Sequence, residues 1–411
     1  MRVCLVSQEY PPETPWGGIG TQTLGKAQCL ARLGHEVHVL SRSADAAIPE
    51  LRTEESAGGI IVHRMQPPGH EFSIYCRGTY LLGYTWFILR QLIGLMEKTT
   101  FDVVDFPEFG GEGFAYQLDR TVWNWLPVVV NIHGPLAMFV EHFGWPDRGG
   151  RFERFASFME EFSIHYADGV MAVSSTIADL ASRAYNFPRE KIDIVHCGVH
   201  ADIFTPVPGG NPVAERPTIL FVGNIIENKG IDTLFEAVMR LRSKHPDVLL
   251  QIVGREDHEL VPRFREYMSK NGAEKNVRFL GFVDMHKLPE LYRRAHAFCA
   301  PAEFEGLGTV YLEAMACGCP VVASTAGGTH ESVLDGQTGL LVPPRDVGAT
   351  AAALDRLLGD QALRRRMGEA GRQRIEEYFT MEKFTERIVA VYEKAIARSQ
   401  QSPDRWKDLR E

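Results

Sequence analysis

Thr205-Pro206-Val207-Pro208-Gly209-Gly210-Asn211-Pro212-Val213-Ala214-Glu215-Arg216-Pro217 divides the chain. Its prolines and paired glycines remove the amide donors and the backbone restraint that a helix or an inner strand needs. On each side of it, short apolar runs alternate with helix-length segments, the pattern of parallel strands covered by helices. Before it, strands are expected at residues 2–6, 37–40, 103–106, 128–132, 170–173 and 192–195. After it, they are expected at 219–222, 248–253, 277–280, 297–299 and 321–323. Helices fall between, for example at 21–33, stopped by Gly34, and at 233–242, opened by the capping box Thr233-Leu234-Phe235-Glu236. The chain has 411 residues, whereas single cores rarely grow past roughly 250–300 residues. The expected architecture is therefore α/β, with two doubly wound, Rossmann-like domains facing one another across a cleft. Residues 1–204 form the first domain, 205–217 the linker and 218–380 the second domain. Ligands in such sheets sit at the carboxyl ends of the strands.

Within the second domain, Glu305-Gly306-Leu307-Gly308-Thr309-Val310-Tyr311-Leu312-Glu313 runs on into Ala314-Met315-Ala316-Cys317-Gly318-Cys319-Pro320. The spacing puts Glu305 in a glycine-containing loop and Glu313 about one turn into a helix. Uncovered amides at Gly308 to Val310 make the helix start an anion site. Flanking carboxylates accept paired hydroxyls, because an ionised carboxylate is acceptor-only. An anion beside a polyol describes a sugar nucleotide. Taken alone, two glutamates at this spacing more often belong to a surface loop and a wet helix face.

Three further segments lie where strands end. Pro15-Trp16-Gly17-Gly18-Ile19-Gly20 precedes the first helix, where glycines let backbone approach a phosphate. It begins too far past its strand for a dinucleotide fingerprint. Phe221-Val222-Gly223-Asn224-Ile225-Ile226-Glu227-Asn228-Lys229-Gly230 places Lys229 just upstream of a helix, within reach of a phosphate held there. Asn131-Ile132-His133-Gly134-Pro135 ends an apolar strand with a histidine, a residue that serves as often in a core hydrogen bond as in catalysis. The chain contains no Asp-x-Asp motif, and Glu256-Asp257-His258-Glu259 reads as the acidic first turn of a helix. No metal site is expected. The absence of Gly-x-Ser-x-Gly argues against a serine hydrolase.

Composition fits an intracellular enzyme. Apolar residues make up 45% and charged residues 24%, and the net charge of −9 offers no general attraction to nucleic acid or anionic lipid. Seven scattered cysteines suit buried free thiols in a reducing compartment. Met1-Arg2 leads directly into a strand, so no secretory leader is expected and the localisation reads as cytoplasmic. The most apolar segment, Tyr80 to Met96, is interrupted by Arg90 and Gln91 and reads as a half-buried helix. Membrane-surface contact through its Trp86 and Phe87 face is the alternative. The tail 399–411 is polar and expected to fray.

Together these segments resemble glycosyltransferase family 4, retaining sugar transferases of the GT-B fold. The similarity covers nearly the whole chain. It rests on the block from Glu305 to Val322, on Gly327-Gly328 with Glu331, and on Gly339-Leu340-Leu341-Val342. Weaker matches are Gly17-Gly18, Gly34-His35-Glu36-Val37, Ala167-Asp168-Gly169-Val170 and Gly230-Ile231. The resemblance implies that Glu313 binds ribose hydroxyls and that Glu305 faces the donor sugar. It implies that the amides of Gly306, Leu307, Gly308 and Thr309 contact sugar and diphosphate, and that Lys229 holds the diphosphate with the Gly17 and Gly18 amides. His133 would stand near the reacting sugar, and the last helix, 381–397, would cross back to the first domain. Asn224 stands where the family usually has arginine. Losing that charge-assisted bond would cost about 1.5–3 kcal/mol, and Arg255 is the residue that could restore it. Cys197-Gly198-Val199-His200 replaces the family's Asn-Gly-Val-Asp.

The implied activity is metal-independent, cofactor-free transfer from a nucleoside-diphosphate sugar to a sugar, glycan or other hydroxyl acceptor. Acceptor choice is expected to lie in the loops 106–109 and 139–154. Another sugar-nucleotide enzyme (an epimerase or phosphorylase) and a binder without turnover are the alternatives. Donor base, donor sugar and oligomeric state are not set by these motifs.

Overall fold

The computed structural model describes residues 1–14, 18–45, 47–66, 80–121, 125–256 and 259–401. They form two compact units. The first comprises Met1–Cys197 and the segment from Met381 onward, the second Gly198–Thr380. Residues 205–217 thus belong to the second unit, and its boundary falls several residues before the expected one.

Among the described residues the first unit holds eight strands: β1 (Arg2–Ser7), β2 (Glu36–Arg42), β3 (Leu51–Ser56), β4 (Ile60–Met65), β5 (Val103–Pro107), β6 (Val128–Ile132), β7 (Gly169–Ala172) and β8 (Ile192–Ile194). Their order is β3-β4-β2-β1-β5-β6-β7-β8. All neighbours are parallel except β3, which runs antiparallel to β4. Central strands are buried on both faces, and β5 and β6 are buried at every position, which is why they read as apolar runs. β3 was not anticipated. It is a half-exposed edge strand, and its sequence Leu51-Arg-Thr-Glu-Glu-Ser carries no apolar period. Its partner β4 went with it.

The second unit holds β9 (Thr218–Val222), β10 (Leu249–Val253), β11 (Val277–Gly281), β12 (Ala297–Ala300), β13 (Val321–Ser324) and β14 (Gly339–Val342). They are all parallel in the order β11-β10-β9-β12-β13-β14. Counted within the unit this is 3-2-1-4-5-6, the doubly wound order with a switch point between its first and fourth strands. β1 and β5 form the corresponding switch point of the first unit. These two places are where such sheets bind ligands.

Helix ends follow backbone chemistry more than sequence pattern. The first helix spans Gly18–Arg32 and ends where Gly34, at φ 83°, lets the His35 amide reach the Leu30 carbonyl at 3.1 Å. The helix expected from Thr233 begins instead at Ile231. Left-handed Gly230 closes the preceding 3-10 turn and opens the helix at once, so Thr233 is a buried inner residue and no capping box forms. Tyr80–Met96 is a helix with Phe87 buried and Trp86 exposed, so these two rings do not share one exposed face. Among the described residues no helix is long and apolar enough to cross a membrane.

The terminal helix Met381–Gln401 completes the core of the first unit. Met381, Phe384, Ile388, Val391, Tyr392 and Ala395 pack with Val3, Leu5, Leu30 and Val129. Beneath them lies a buried polar triad: Lys26 Nζ is 2.9 Å from Asp105 Oδ2, which also accepts from Tyr392 Oη. The six described cysteines are all buried and free.

Candidate active site

The switch point of the second unit brings together the loops after β9 and β12. Gly230, at φ 69°, lies so close to β12 that a Cβ there would meet the Pro301 carbonyl oxygen at 2.1 Å. The Glu303 amide donates to the Asn228 carbonyl at 3.0 Å. These backbone contacts place Lys229 beside Glu305, with Nζ 2.8 Å from Oε2. Glu305 is fixed from the other side too, because the Gly328 amide donates to its carbonyl at 2.8 Å. Farther out, Arg345 holds the Glu303 carboxylate with two bonds of 2.6 Å, and takes a φ of 60° to do so.

The helix Thr309–Ala316 starts immediately after this loop, and no side chain caps it. Gly308 makes that start possible: at φ 86° it leaves room for the Tyr311 ring, which a Cβ would strike at 2.2 Å. Tyr311 Oη donates to the Ala300 carbonyl at 2.7 Å, tying the helix to the end of β12. Of the first amides of the helix, that of Tyr311 donates to the Gly308 carbonyl at 3.0 Å and none is taken by a capping side chain, so the helix start beside Glu305 is uncapped, as an anion site requires. One turn on, half-buried Glu313 accepts from Tyr292 Oη at 2.8 Å through Oε2. Burial pushes its carboxyl up to about 7, against the lowering effect of Tyr292. Leu307 is buried, and its carbonyl accepts from Ser332 Oγ at 2.9 Å; Gly306 is buried beside it.

Asn224 and Arg255 are both exposed, at the carboxyl ends of β9 and β10. The two loops touch through their glycines, since a Cβ on Gly254 would lie 2.0 Å from the Gly223 carbonyl oxygen. Asn224, Lys229, Glu305, Gly306, Leu307, Gly308, Thr309 and Glu313 thus all belong to one end of one sheet. Of the acidic run 256–259, Glu259 is the N-cap of the helix Leu260–Asn271, and residues 257 and 258 lie outside the described residues.

His133 and Gly18 belong to the first unit, and Gly17 lies outside the described residues. The His133 amide donates to Glu108 Oε1 at 2.8 Å, and the Gly134 amide donates to the same oxygen. Burial, with Lys26 nearby, holds the His133 imidazole down at about 3, so it is neutral at physiological pH. At the start of the first helix the Glu9 carboxylate accepts from the Gly20 amide. A protein carboxylate therefore takes one of the amides where sequence suggested phosphate.

Two more buried glutamates stand close by. Glu112 Oε1 accepts from the Gln8 amide at 3.3 Å. Glu160 accepts from the Gly110 and Leu136 amides, at 2.8 and 2.9 Å, and from Tyr185 Oη. Burial, reinforced by neighbouring carboxylates, pushes Glu112 and Glu160 up to about 8 each. Burial pushes Glu108 up to about 7, against the amides of Gly134 and His133. Sequence reading had no role for Tyr292, Glu9, Glu112 or Glu160. Each acts on a group distant in sequence, and no local motif marks such a pairing.

Known proteins resemble the chain along most of its length. The profile of Glycosyltransferase Family 4 matches residues 16–203, and that of Glycosyl transferases group 1 matches residues 209–374. A glycogen synthase of Mycobacterium tuberculosis is 30% identical over 405 residues, 95% of this chain and 94% of that protein. An alpha-maltose-1-phosphate synthase of Mycolicibacterium smegmatis is 28% identical over 428 residues, 97% of this chain and 100% of that protein. Sucrose-phosphate synthase from Thermosynechococcus elongatus superposes with a TM-score of 0.81 at 24% identity, covering 96% of this chain and 99% of that one. The Anabaena HepE structure with UDP-glucose superposes with a TM-score of 0.73 at 18% identity, covering 96% and 99%. The two structural likenesses speak for the fold.

Proposed function

Since the chain belongs to glycosyltransferase family 4 and has the GT-B fold, we propose that this glycosyltransferase moves a sugar from a nucleoside-diphosphate donor to an acceptor hydroxyl. We infer further that it does so with retention at the anomeric carbon and without a metal. The observation that carries the reading is the meeting of Lys229, Glu305 and an uncapped helix start at the switch point of the second unit.

In this reading the second unit holds the donor. The diphosphate lies against Lys229 and the amides at Thr309, so the charge that grows on the leaving group meets a cation and a helix N-terminus. Glu305 accepts hydroxyls of the donor sugar. Glu313 accepts ribose hydroxyls through the oxygen that Tyr292 does not use. On the first unit, neutral His133 presents a hydrogen-bonding imidazole to the acceptor side, its turn held by Glu108. The cytoplasmic assignment rests on the buried free thiols, which suit a reducing compartment.

A thermal-shift screen of UDP, GDP and ADP tests the donor site. A ligand that binds only the folded state raises its stability, by about 2.7 kcal/mol at a hundred times its Kd. If none of the three stabilises the protein, the donor assignment fails. Anomeric configuration of the product by NMR tests retention, and an unchanged rate in EDTA tests independence from a metal.

A further inference from the structure

The turn that carries His133 opens onto a continuous set of aromatic rings. A Cβ on Gly134 would lie 3.6 Å from Phe139 Cε2, so the Phe139 ring flanks the turn directly. Phe139 meets Phe109 and Trp145 edge-on, with centroids 6.0 Å apart in each case, and Phe143 at 5.8 Å. Trp145 continues to Phe152 at 6.1 Å. Four of these rings are half-buried, and Trp145 projects, 52% exposed. Phe109 lies in the 3-10 turn after β5, and the rest follow β6: Phe139 and Phe143 on the helix Leu136–Phe143, Trp145 in the segment after it and Phe152 on the helix Arg151–His165. So the rings extend outward from the end of the sheet that holds His133 and Glu108.

Charge narrows what such a surface can receive. Arg148, Arg151 and Arg154 are exposed and form no ion pair among the described residues. Glu141, Asp147 and Glu153 stand on the same stretch and cancel them. A bilayer contact would need a basic surplus and several protruding apolar side chains. This surface has balanced charge, and only Trp145 and, one turn past Arg154, Phe158 protrude from it among the described residues. Under the turn, Glu108 and Asn131 are buried and close the floor. Exposed Glu141, Asp147, Arg148 and Arg151 on the same stretch supply hydrogen-bonding groups beside the aromatic wall. Sugars match that combination, since a pyranose has an apolar C–H face and a rim of hydroxyls.

We propose that this platform seats an oligosaccharide acceptor, with sugar rings stacked on Trp145 and Phe139 and the chain end directed to the His133 turn. It rests on the reading of the protein as a transferase and adds the class of acceptor: a chain of at least two sugars, bound by its faces. Free monosaccharides reach the turn but not the outer ring. They bind more weakly for that reason.

The test is calorimetry on the full chain with maltotetraose, cellotetraose and glucose, alongside UDP, GDP and ADP, for the native protein, Trp145→Ala and Trp145→Phe. One tetrasaccharide should bind more tightly than glucose. Trp145→Ala should weaken it by about tenfold, Trp145→Phe by less, and nucleotide binding should be equal in all three, as expected for loss of one aromatic contact. Absence of binding by both tetrasaccharides overturns the proposal, as does equal affinity in Trp145→Ala. Sedimentation with mixed phosphatidylcholine and phosphatidylglycerol vesicles that Trp145→Ala abolishes would also overturn it, in favour of a membrane contact. If no nucleotide binds the native protein, the donor reading fails separately from this result.

Discussion

Lys229 Nζ lies 2.8 Å from Glu305 Oε2, which joins the loop after β9 to the loop after β12 across the switch point of the second sheet. The pair is partly open to solvent, with side chains 34% and 19% exposed. A pair in that setting contributes roughly 0–1 kcal/mol to stability. Its position carries more weight than its strength. A cation and a carboxylate that would serve opposite ends of a sugar diphosphate are already side by side.

Replacing either partner should therefore affect chemistry and spare the fold. Lys229→Ala should weaken nucleoside-diphosphate binding by about tenfold or more, the loss of one charge-assisted hydrogen bond. Glu305→Ala should abolish transfer with little change in nucleotide binding. Calorimetry and a transfer assay check both, with thermal midpoints near the native value. Full transfer by either variant would show that the donor sits elsewhere.

Asn224→Arg should tighten nucleotide binding. The side chain is exposed in the loop that carries Lys229, and an added guanidinium there meets the same diphosphate. About a tenfold gain is expected from one charge-assisted bond. An unchanged Kd would mean that this loop position does not face the diphosphate.

Donor binding should depend on pH through Glu313. Its carboxyl is pushed up to about 7 by burial, so it is ionised above that pH and accepts two hydroxyls only there. The KM for donor should rise as pH falls below 7. Glu313→Gln should be weaker throughout and show a flatter profile between pH 6 and 8. A native KM that is level across that range speaks against ribose binding by Glu313.

Stability should fall as pH rises. Glu108, Glu112 and Glu160 have folded-state values of about 7, 8 and 8, above the roughly 4.3 of an unfolded chain. Between those limits the folded protein holds protons that the unfolded chain releases. Its stability is thus highest at the acid end of that window and declines as pH rises through 7–8. Thermal midpoints from pH 5.5 to 8.5 measure it. Glu112→Gln, which stays neutral, should lessen the slope, and an identical slope would place the linkage in other groups.

The sequence disclosed most of what is buried on two sides. β5, β6 and β9 are short apolar runs because helices cover both faces, and each was legible for that reason. β3 was not, since its outward face is polar and its pairing is with a neighbour alone. The second-unit site was legible because Lys229, Glu305 and Glu313 all follow strand ends. Tyr292 was not, because only the fold brings its hydroxyl to Glu313. Gly18 and Gly20 announced a helix start, but nothing local showed that Glu9 turns back to cap it.

The helix Met381–Gln401 closes the core of the unit that begins at Met1. During synthesis, which is sequential, β1 emerges before the second unit and its packing partner only after it. The Asp105 carboxylate must likewise wait for Tyr392. The second unit is continuous in sequence and can complete its core while the terminal helix is still on the ribosome. The unit begun earlier thus completes its core later. Chains that stop short of residue 381 would leave an apolar face of the first unit open to aggregation.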